Sequence, residues 1–234
     1  DICEINTGVM AFKGVHLKAW LHLISNKNSS GEYYLTDMIA IAHEKGIAIA
    51  TAKAESEMEV LGVNNRMQQA MLERYFQQSI AEDLMVNGVT MMDPMRFDCR
   101  GSITVGRDVY IDVNCVFEGE VKLGNGVVVG PNCVIKNAVI GDNTVIKANS
   151  MIDDATVAAD CEVGPYARLR PGTELQTGAK IGNFVETKKA LIGVNSKVNH
   201  LSYVGDTVVG SNCNLGAGVI TCNYDGANKF KTEI

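Results

Sequence analysis

The sequence lacks a C-x-x-C pair, an apolar run near the roughly 20 residues that span a bilayer, and a charged-then-apolar leader. Seven cysteines without such spacing, in 234 residues, fit neither a disulfide scaffold nor a zinc site, so we expect free thiols in a reducing compartment. Lysine and arginine form no cluster and the formal net charge is −6, which argues against a nucleic-acid surface. We therefore expect a soluble, cytoplasmic protein with no membrane span and no nucleic-acid partner.

The first 97 residues alternate between strand-like and helix-like segments. "EINTGVMAF" and "IAIATAKA" have the composition of strands, whereas "LTDMIAIAHEKG" and "NRMQQAMLERYFQQSIAEDLMVNG" have the apolar spacing of helices ending at Gly46 and Gly88. Thr36 or Asp37 could cap the first helix. This alternation predicts α/β structure that is too short to form a complete nucleotide-binding sheet.

A six-residue period begins near Asp98. An aliphatic residue recurs every six positions, usually followed by a glycine or a small polar residue, as at Val105, Ile111, Leu123, Val129, Ile140, Val163, Ile181, Ile192, Val209 and Leu215. A short period sustained this far is typical of a solenoid. The step shortens to five at only a few places, always in the third member of a triplet. Three hexapeptides therefore form one coil of a triangular prism of parallel strands.

The position four residues after each aliphatic residue should also point inward, because it lies an even number of strand steps away. Its occupants are small: Val109, Cys115, Val127, Cys133, Thr144, Ser150, Cys161, Ala167, Ala179, Ser196 and Cys213. Four cysteines thus have a structural explanation as compact interior residues, which we favour over catalysis or metal binding.

His200 is the only histidine after His43 and occupies neither inward position of its repeat. A buried core histidine is therefore disfavoured, and an exposed histidine without a role stays possible. Glu186 and Lys188 follow the repeat one coil earlier, and Asn214 follows the repeat one coil later. A neutral imidazole beside a carboxylate could act as a general base near pH 7, and Arg170 and Lys188 could hold a phosphate.

Motifs along the whole chain resemble one bacterial enzyme family. "EINTG", "GEYYLTD", "GVNNR", "ARLRPG", "GNFVETKK", "NHLSYVGD" and "NLGAGVITCNYDGANKFKT" are similar to those of the bifunctional N-acetylglucosamine-1-phosphate uridylyltransferase/glucosamine-1-phosphate acetyltransferases. The resemblance implies the remnant of a Rossmann-like nucleotidyltransferase domain followed by a left-handed parallel β-helix of hexapeptide repeats. It implies residues 1–65 for the first domain, 66–97 for a linking helix, and 98–234 for the β-helix.

The resemblance also implies the acetyl-transfer chemistry. The β-helix would move an acetyl group from acetyl-CoA to glucosamine 1-phosphate, with His200 as the base and Glu186 to polarise it. The sugar phosphate would be held by Arg170, Lys188, Tyr203, Asn214 and Lys229. The coenzyme would be bound by Ala217, Asn223 and Tyr224, although Asn223 and Tyr224 could instead form an ordinary turn.

For the second activity, the family joins UTP to N-acetylglucosamine 1-phosphate, and the product feeds peptidoglycan and lipopolysaccharide synthesis. Asn6 and Asn64 match positions that contact the UDP-sugar, and Asn64 would share Mg²⁺ with an aspartate that precedes "EINTG" in the family. This sequence holds no counterpart of that aspartate or of the glycine-rich nucleotide loop, so we do not expect uridylyl transfer from it alone. Asn64 could instead be a helix N-cap.

We also expect the chain to be part of a longer, homotrimeric protein in which each acetyl site borrows from neighbouring subunits, because Ile234 begins another hexapeptide. Three other classes of protein stay possible. A metal-dependent hexapeptide enzyme would need several histidines on its coils. Another hexapeptide acyltransferase would not be expected to carry "GEYYLTD" and "GVNNR". A non-catalytic trimerisation or regulatory module would not need His200, Arg170 and Lys188 together.

Overall fold

The structure is a computed structural model that describes residues 5–234. The chain forms two compact units, one that extends to Leu72 and one over Glu73–Ile234. The first contains helices α1 (Gly14–Trp20) and α2 (Asp37–Glu44), and helix α3 (Arg66–Val86) spans the division. In the first unit Trp20, Met38 and Ala42 form a small buried cluster.

Helix α2 ends as the sequence predicts, since Gly46 follows it with a φ of +67°. Thr36 occupies its N-cap position without a side-chain hydrogen bond. Helix α3 is capped by Asn65, whose Oδ1 accepts from the Gln68 backbone N–H at 2.9 Å, while Gln68 Oε1 accepts from the Asn64 N–H at 2.8 Å. Asn65 is therefore the N-cap and the Gln68 side chain accepts from the residue before it, so the alternative role of Asn64 as the N-cap is wrong.

The two strands predicted before residue 60 are absent from the described residues. Residues 5–12 of the first segment and all of 47–54 form no strand, and Glu4 lies outside the described residues. A strand requires a neighbouring backbone to pair with, and within residues 5–89 the structure contains no strand at all. The described part of the first unit is therefore helical with extended connections rather than α/β.

All strands lie in the second unit, with a 3₁₀ turn at Pro94–Arg96. They are β1 (Thr90–Met91), β2 (Phe97–Val105), β3 (Tyr110–Ile111), β4 (Cys115–Leu123), β5 (Val128–Val129), β6 (Val134–Ile140), β7 (Val145–Ile146), β8 (Met151–Asp153), β9 (Thr156–Val157), β10 (Glu162–Val163), β11 (Arg168–Leu169), β12 (Glu174–Leu175), β13 (Lys180–Asn183), β14 (Glu186–Ile192), β15 (Lys197–His200), β16 (Tyr203–Val209), β17 (Asn214–Leu215) and β18 (Thr232–Glu233).

These strands form the predicted parallel solenoid. Successive coils pair in parallel after 17 or 18 residues, as in Tyr110 with Val128 and Val128 with Val145. One eight-stranded sheet, in the order β1-β3-β5-β7-β10-β13-β15-β17, forms the first face. A ten-stranded sheet forms the second and third faces together, because long strands such as β6 and β14 continue through the corner between them.

That continuous corner is where the sequence shortens its step from six residues to five. Each five-residue step there contains one residue with a φ of 44–48°: Asn137, Asp154, Lys189 and Asp206. A single left-handed residue thus turns the chain. The shortened steps therefore all lie at the corner between the second and third faces, which confirms that one corner of the prism tolerates a deletion.

The interior follows the predicted pattern. Both inward positions of each hexapeptide are almost completely buried, with Ile111, Cys133, Thr144, Ile181 and Val209 at 0–1% exposure. The exceptions are at the two ends, where Ile103, Val105, Cys213 and Val219 are half-buried. The predicted interior role of Cys115, Cys133 and Cys161 is confirmed. Small residues alternate with larger aliphatic ones, which lets neighbouring faces pack closely.

Helix α3 closes one end of the prism. Gln77 is 2% exposed, and its amide donates to the Cys99 carbonyl at 2.9 Å and accepts from the Cys99 N–H at 2.6 Å. Ala81 joins the same core as the first coil. The unpaired backbone and apolar cross-section of that coil are therefore covered, as a solenoid end requires.

Candidate functional site

His200 lies at the end of β15, where the first face turns into the second, and its side chain is exposed. The expectation that it is not a core histidine is confirmed. Its Nδ1 lies 3.0 Å from Oδ1 of Asn183, the residue paired with it one coil earlier. Because an amide oxygen only accepts, Nδ1 carries the proton and Nε2 presents a lone pair. This imidazole is thus arranged to accept a proton at Nε2.

Asn183 was not anticipated from the sequence. The coil length would have identified it, because His200 minus 17 residues is position 183, and coils of 17 residues occur at this point of the solenoid. The Asn183 side chain, on the preceding coil, fixes the tautomer of the His200 imidazole. Asn183, rather than Glu186, is thus the side chain hydrogen-bonded to the imidazole of His200.

Glu186 lies in β14 on the second face, beyond the corner from His200. Its Oε1 accepts from Arg170 Nη1 at 2.6 Å, and both side chains are about one-third exposed (34% and 32%). No hydrogen bond joins Glu186 to His200 within residues 5–234. The two predicted catalytic groups therefore do not contact each other directly in this structure, in which Glu186 is paired with the guanidinium of Arg170.

Three of the predicted phosphate-binding residues converge on the second face. The pairing of Leu169 with Thr187 puts Arg170 beside Lys188, and Lys188 in turn pairs with Gly205 one coil later. The Tyr203 ring covers Gly205, and its hydroxyl lies too close to leave room for a β-carbon on that glycine. Arg170, Lys188 and Tyr203 thus stand on three neighbouring coils of one face, and a guanidinium, an ammonium and a phenol are a donor set suited to an anionic phosphate.

The other two predicted phosphate ligands lie elsewhere in this chain. Asn214 pairs with Lys197 at the start of the first face, away from the corner that holds His200. Lys229 lines a groove at the corner between the second and third faces, with Lys189, Asp206, Phe230 and Lys231. A single copy of the chain therefore assembles only part of the predicted phosphate set.

The predicted coenzyme residues are divided between two places. Ala217 is exposed and lies next to His200 in the following coil, since the Gly218 N–H donates to the His200 carbonyl at 3.4 Å. Asn223 donates from its side-chain amide to Asp206. Tyr224 is 60% exposed, and its hydroxyl donates to the Gly226 carbonyl at 2.6 Å.

Asn223 and Tyr224 belong to an antiparallel excursion, which replaces the turn between the second and third faces. Tyr224 forms a bridge with Lys229, and the Phe230 N–H donates to the Asn223 carbonyl at 2.9 Å. Asp225 closes the tip by accepting from the N–H groups of Ala227 and Asn228. The excursion is thus an ordered hairpin rather than a simple turn.

Asn6 and Asn64 are both exposed, and Asn6 Oδ1 accepts from the Gly8 N–H at 2.8 Å. Mg²⁺ in proteins is bound mainly by carboxylate and phosphate oxygens. In the part of the chain that the structure describes, no three His, Cys, Asp or Glu side chains come together to hold a metal ion. A lone amide does not make a magnesium site, so we derive no step through that ion.

The interior cysteines are poor candidates for chemistry. Burial raises the pKa of the Cys115 thiol to about 12 and raises the pKa values of Cys99, Cys133 and Cys161 as well. The thiolate is the reactive form of cysteine, so these groups are inert at neutral pH. Cys222, by contrast, is exposed on the second face.

Comparison with known proteins relates the chain to one group over its entire length. It is 64% identical to the bifunctional protein GlmU of Cellvibrio japonicus over 233 residues and 58% identical to that of Marinobacter nauticus over 234 residues. These matches cover 100% of this chain but 51% and 52% of the relatives, so the chain spans about half their length. The chain is thus homologous to the GlmU proteins, and the resemblance found in the motifs is confirmed.

The family model described as GMPPB C-terminal domain matches residues 99–174. Among solved structures, the UDP-N-acetylglucosamine acyltransferase from Campylobacter jejuni is 14% identical, with a TM-score of 0.29, and covers 56% of this chain and 68% of its own. No helix within residues 5–234 combines the length and apolarity needed to cross a bilayer.

Proposed function

We propose, from homology with the GlmU proteins along the whole chain, that the solenoid transfers an acetyl group from acetyl-CoA to the amine of glucosamine 1-phosphate. The observation that carries the proposal is the exposed imidazole of His200, held in one tautomer by Asn183 at the corner next to a cationic second face. A general base and a phosphate-binding surface are the two groups that this acceptor requires, because it is an amine and an anion at once.

In this mechanism His200 Nε2 takes a proton from the attacking amine. The nitrogen lone pair forms a bond to the thioester carbonyl carbon, the carbon–sulfur bond breaks, and the coenzyme leaves as a thiol after it takes up a proton. Glu186 raises the basicity of the site when its carboxylate is released from Arg170. Arg170, Lys188 and Tyr203 orient the phosphate, and Ala217 beside His200 leaves room for the thioester.

We propose that Asn214 and Lys229 complete the phosphate site, and Asn223 and Tyr224 the coenzyme site, in a homotrimer of left-handed prisms. The support is their position: within one chain Asn214 lies at the far end of the first face from His200. A neighbouring copy could bring that face to the corner. The small polar groove around Asn214 includes Lys180, Lys197 and Asn199, so the first face offers hydrogen-bonding groups to such a neighbour.

We also propose that residues 1–65 belong to a Rossmann-like uridylyltransferase domain, 66–97 to a linking helix, and 98–234 to the acetyltransferase domain. In that arrangement Asn6 and Asn64 contact the UDP-sugar, and the joining of UTP to N-acetylglucosamine 1-phosphate, with Mg²⁺, is an activity of the whole protein. The products would supply cell-wall precursors. Free thiols at six described cysteines support a cytoplasmic location.

The test is thiol release from acetyl-CoA with glucosamine 1-phosphate as acceptor, in the full-length protein. His200→Ala should lower kcat/KM by about 10²- to 10⁴-fold, the usual contribution of a general base. His43→Ala is the matched control, because it removes an exposed histidine from α2 in the other unit. Equal rates for the two variants would refute the role of His200, and a folded wild-type protein without turnover would refute the substrate pair.

A further inference from the structure

The ion pair between Arg170 and Glu186 conflicts with the roles proposed for both residues. Arg170 should bind the sugar phosphate and Glu186 should act near the reacting amine, yet each neutralises the other at 2.6 Å. A carboxylate bound to a guanidinium is a weaker acceptor, and the guanidinium has fewer N–H groups for a phosphate. For Arg170 to bind the phosphate and Glu186 to act near the amine, the ion pair between them must be broken. A second carboxylate that could replace Glu186 as the partner of Arg170 would make this exchange possible.

Asp153 is a carboxylate in the appropriate place. It ends β8, in which Met151 and Ile152 pair with Arg168 and Leu169, so Arg170 follows directly opposite Asp153 on the next coil. Adjacent strands lie about 4.8 Å apart. The backbone of Arg170 thus lies between two neighbouring coils, with Asp153 on the preceding one and the Glu186–Lys188 segment on the following one.

The side chain of Asp153 is also unsatisfied in this structure. Its Oδ1 is buried and has no hydrogen-bond partner, one of two such side-chain atoms within residues 5–234. An unpaired buried carboxylate oxygen is costly, because it has lost water without gaining a donor. The oxygen is therefore an empty acceptor beside an arginine that has free donors, since Glu186 takes one of its five N–H groups.

We propose that Asp153 is a positioning residue that receives the Arg170 guanidinium when the sugar phosphate binds. In this step Arg170 leaves Glu186, pairs with Asp153 on one edge, and presents its other N–H groups to the phosphate. Glu186 is then released toward the amine and His200. The proposal rests on the proposed function for its substrate and on the register of β8, β11 and β14 for its geometry.

Lys136 is the competing partner, because it pairs with Asp153 from the preceding coil. The ammonium of Lys136 lies more than 4.0 Å from the Asp153 carboxylate, as does the guanidinium of Arg170, since no ion pair of Asp153 occurs within residues 5–234. The planar guanidinium can bind two anions on two edges at once, whereas an ammonium is a point charge. This geometry favours Arg170 as the group that bridges a carboxylate and a phosphate.

The kinetic test uses Asp153→Asn in the full-length protein, with Asp154→Asn as the matched control. Asp154 lies next in sequence, is exposed, and has a φ of 44°, a conformation that asparagine tolerates well. Asp153→Asn should raise KM for glucosamine 1-phosphate about tenfold, the effect of one charge-assisted hydrogen bond, and leave KM for acetyl-CoA unchanged. Asp153→Glu should restore most of the loss. Equal KM values for Asp153→Asn and wild type would overturn the inference, as would the same defect in Lys136→Met.

A second test needs no turnover. Side-chain ¹⁵N NMR of Arg170 reports whether its guanidinium rotation is slowed by an ion pair. In Glu186→Gln the rotation should stay slow, because the guanidinium moves to Asp153, and it should become fast in the Glu186→Gln/Asp153→Asn double variant. Fast rotation in Glu186→Gln alone would overturn the inference. A wild-type protein without acetyl transfer would refute the proposed function while leaving this NMR result to decide the role of Asp153.

Discussion

Gly205 determines where the Tyr203 ring can lie. A β-carbon at position 205 would come within 2.6 Å of Tyr203 Cζ and 2.7 Å of Cε1, roughly 1 Å closer than carbon atoms pack. The atoms in the way belong to a side chain that can swing, so Gly205→Ala should cost about 0.5–1.5 kcal/mol of stability, the cost of an off-rotamer side chain. The displaced hydroxyl would lose the hydrogen bond to the phosphate that the proposed function gives it.

A hydrogen bond to a charged group contributes about 1.5–3 kcal/mol, which corresponds to about a 10- to 150-fold rise in KM for glucosamine 1-phosphate. Gly205→Ala should therefore fold and bind its acceptor poorly, as measured by thermal unfolding and by thiol-release kinetics. If the effect passes through Tyr203, the double variant with Tyr203→Phe should be no worse than Tyr203→Phe alone. A wild-type KM in Gly205→Ala would refute the reasoning.

Gly193 is the matched control for that substitution. A β-carbon there would lie 2.5 Å from the Gly210 carbonyl carbon and 2.8 Å from the Val209 oxygen, which are backbone atoms of the next coil. The backbone cannot swing aside, so Gly193→Ala should destabilise the prism by about 1–3 kcal/mol or more. The two alanine variants thus separate a local displacement at the site from a strained solenoid.

The remaining predictions concern stability. Cys133 is fully buried, so Cys133→Phe should overpack the prism and lower the free energy of unfolding by about 1–3 kcal/mol in urea titration, whereas Phe at the outward-facing Val134 should change it little. Hydrogen bonds from Lys147 and Lys180 lower the pKa of Glu162 from 4.5 to about 2. Because the folded-state pKa is lowered, these ion pairs stabilise the folded protein fully above about pH 4.5, and the stabilisation is lost as the pH falls toward 2. These side chains are more than one-third exposed, so the free energy of unfolding should fall by no more than about 1 kcal/mol. A Glu162→Gln variant whose stability falls with pH as steeply as that of wild type would contradict this assignment.

The interior of the solenoid could be predicted from the sequence because one repeating rule governs it. Each coil supports the next through the same inward positions, so Ile111, Ile181 and Val209 occupy equivalent places and all are buried. The shortened steps were equally informative, since a five-residue step leaves one residue to turn the chain, as Asp154 and Lys189 do. The prediction of the interior depends on many equivalent positions, so a half-buried Cys213 in the last coil does not change it.

The first unit has no such repetition, and strand predictions there were wrong. The "IAIATAKA" segment has the composition of a strand, but β structure depends on pairing with another backbone, and composition alone does not supply a partner. The cap of α3 shows the same limit on a smaller scale. Asn64 and Asn65 are equivalent as residue types, and only the hydrogen bond from the Gln68 N–H distinguishes Asn65 as the cap.

The candidate site could be predicted only in part. The repeat determines where a residue lies along a coil, but it does not show whether that residue contributes to a site in its own subunit or in a neighbouring one. His200 comes two residues after Val198, and Asn214 comes one residue before Leu215, and these two aliphatic residues are paired. The two candidate ligands are therefore three residues apart along the strand, or about 10 Å, and they lie on directly neighbouring coils. In one prism they emerge at opposite ends of the first face. This separation within one prism agrees with the proposal that the phosphate site is completed by a neighbouring subunit, and it would be tested by mixing His200→Ala and Asn214→Ala subunits, which should restore acetyl transfer only if the site is shared.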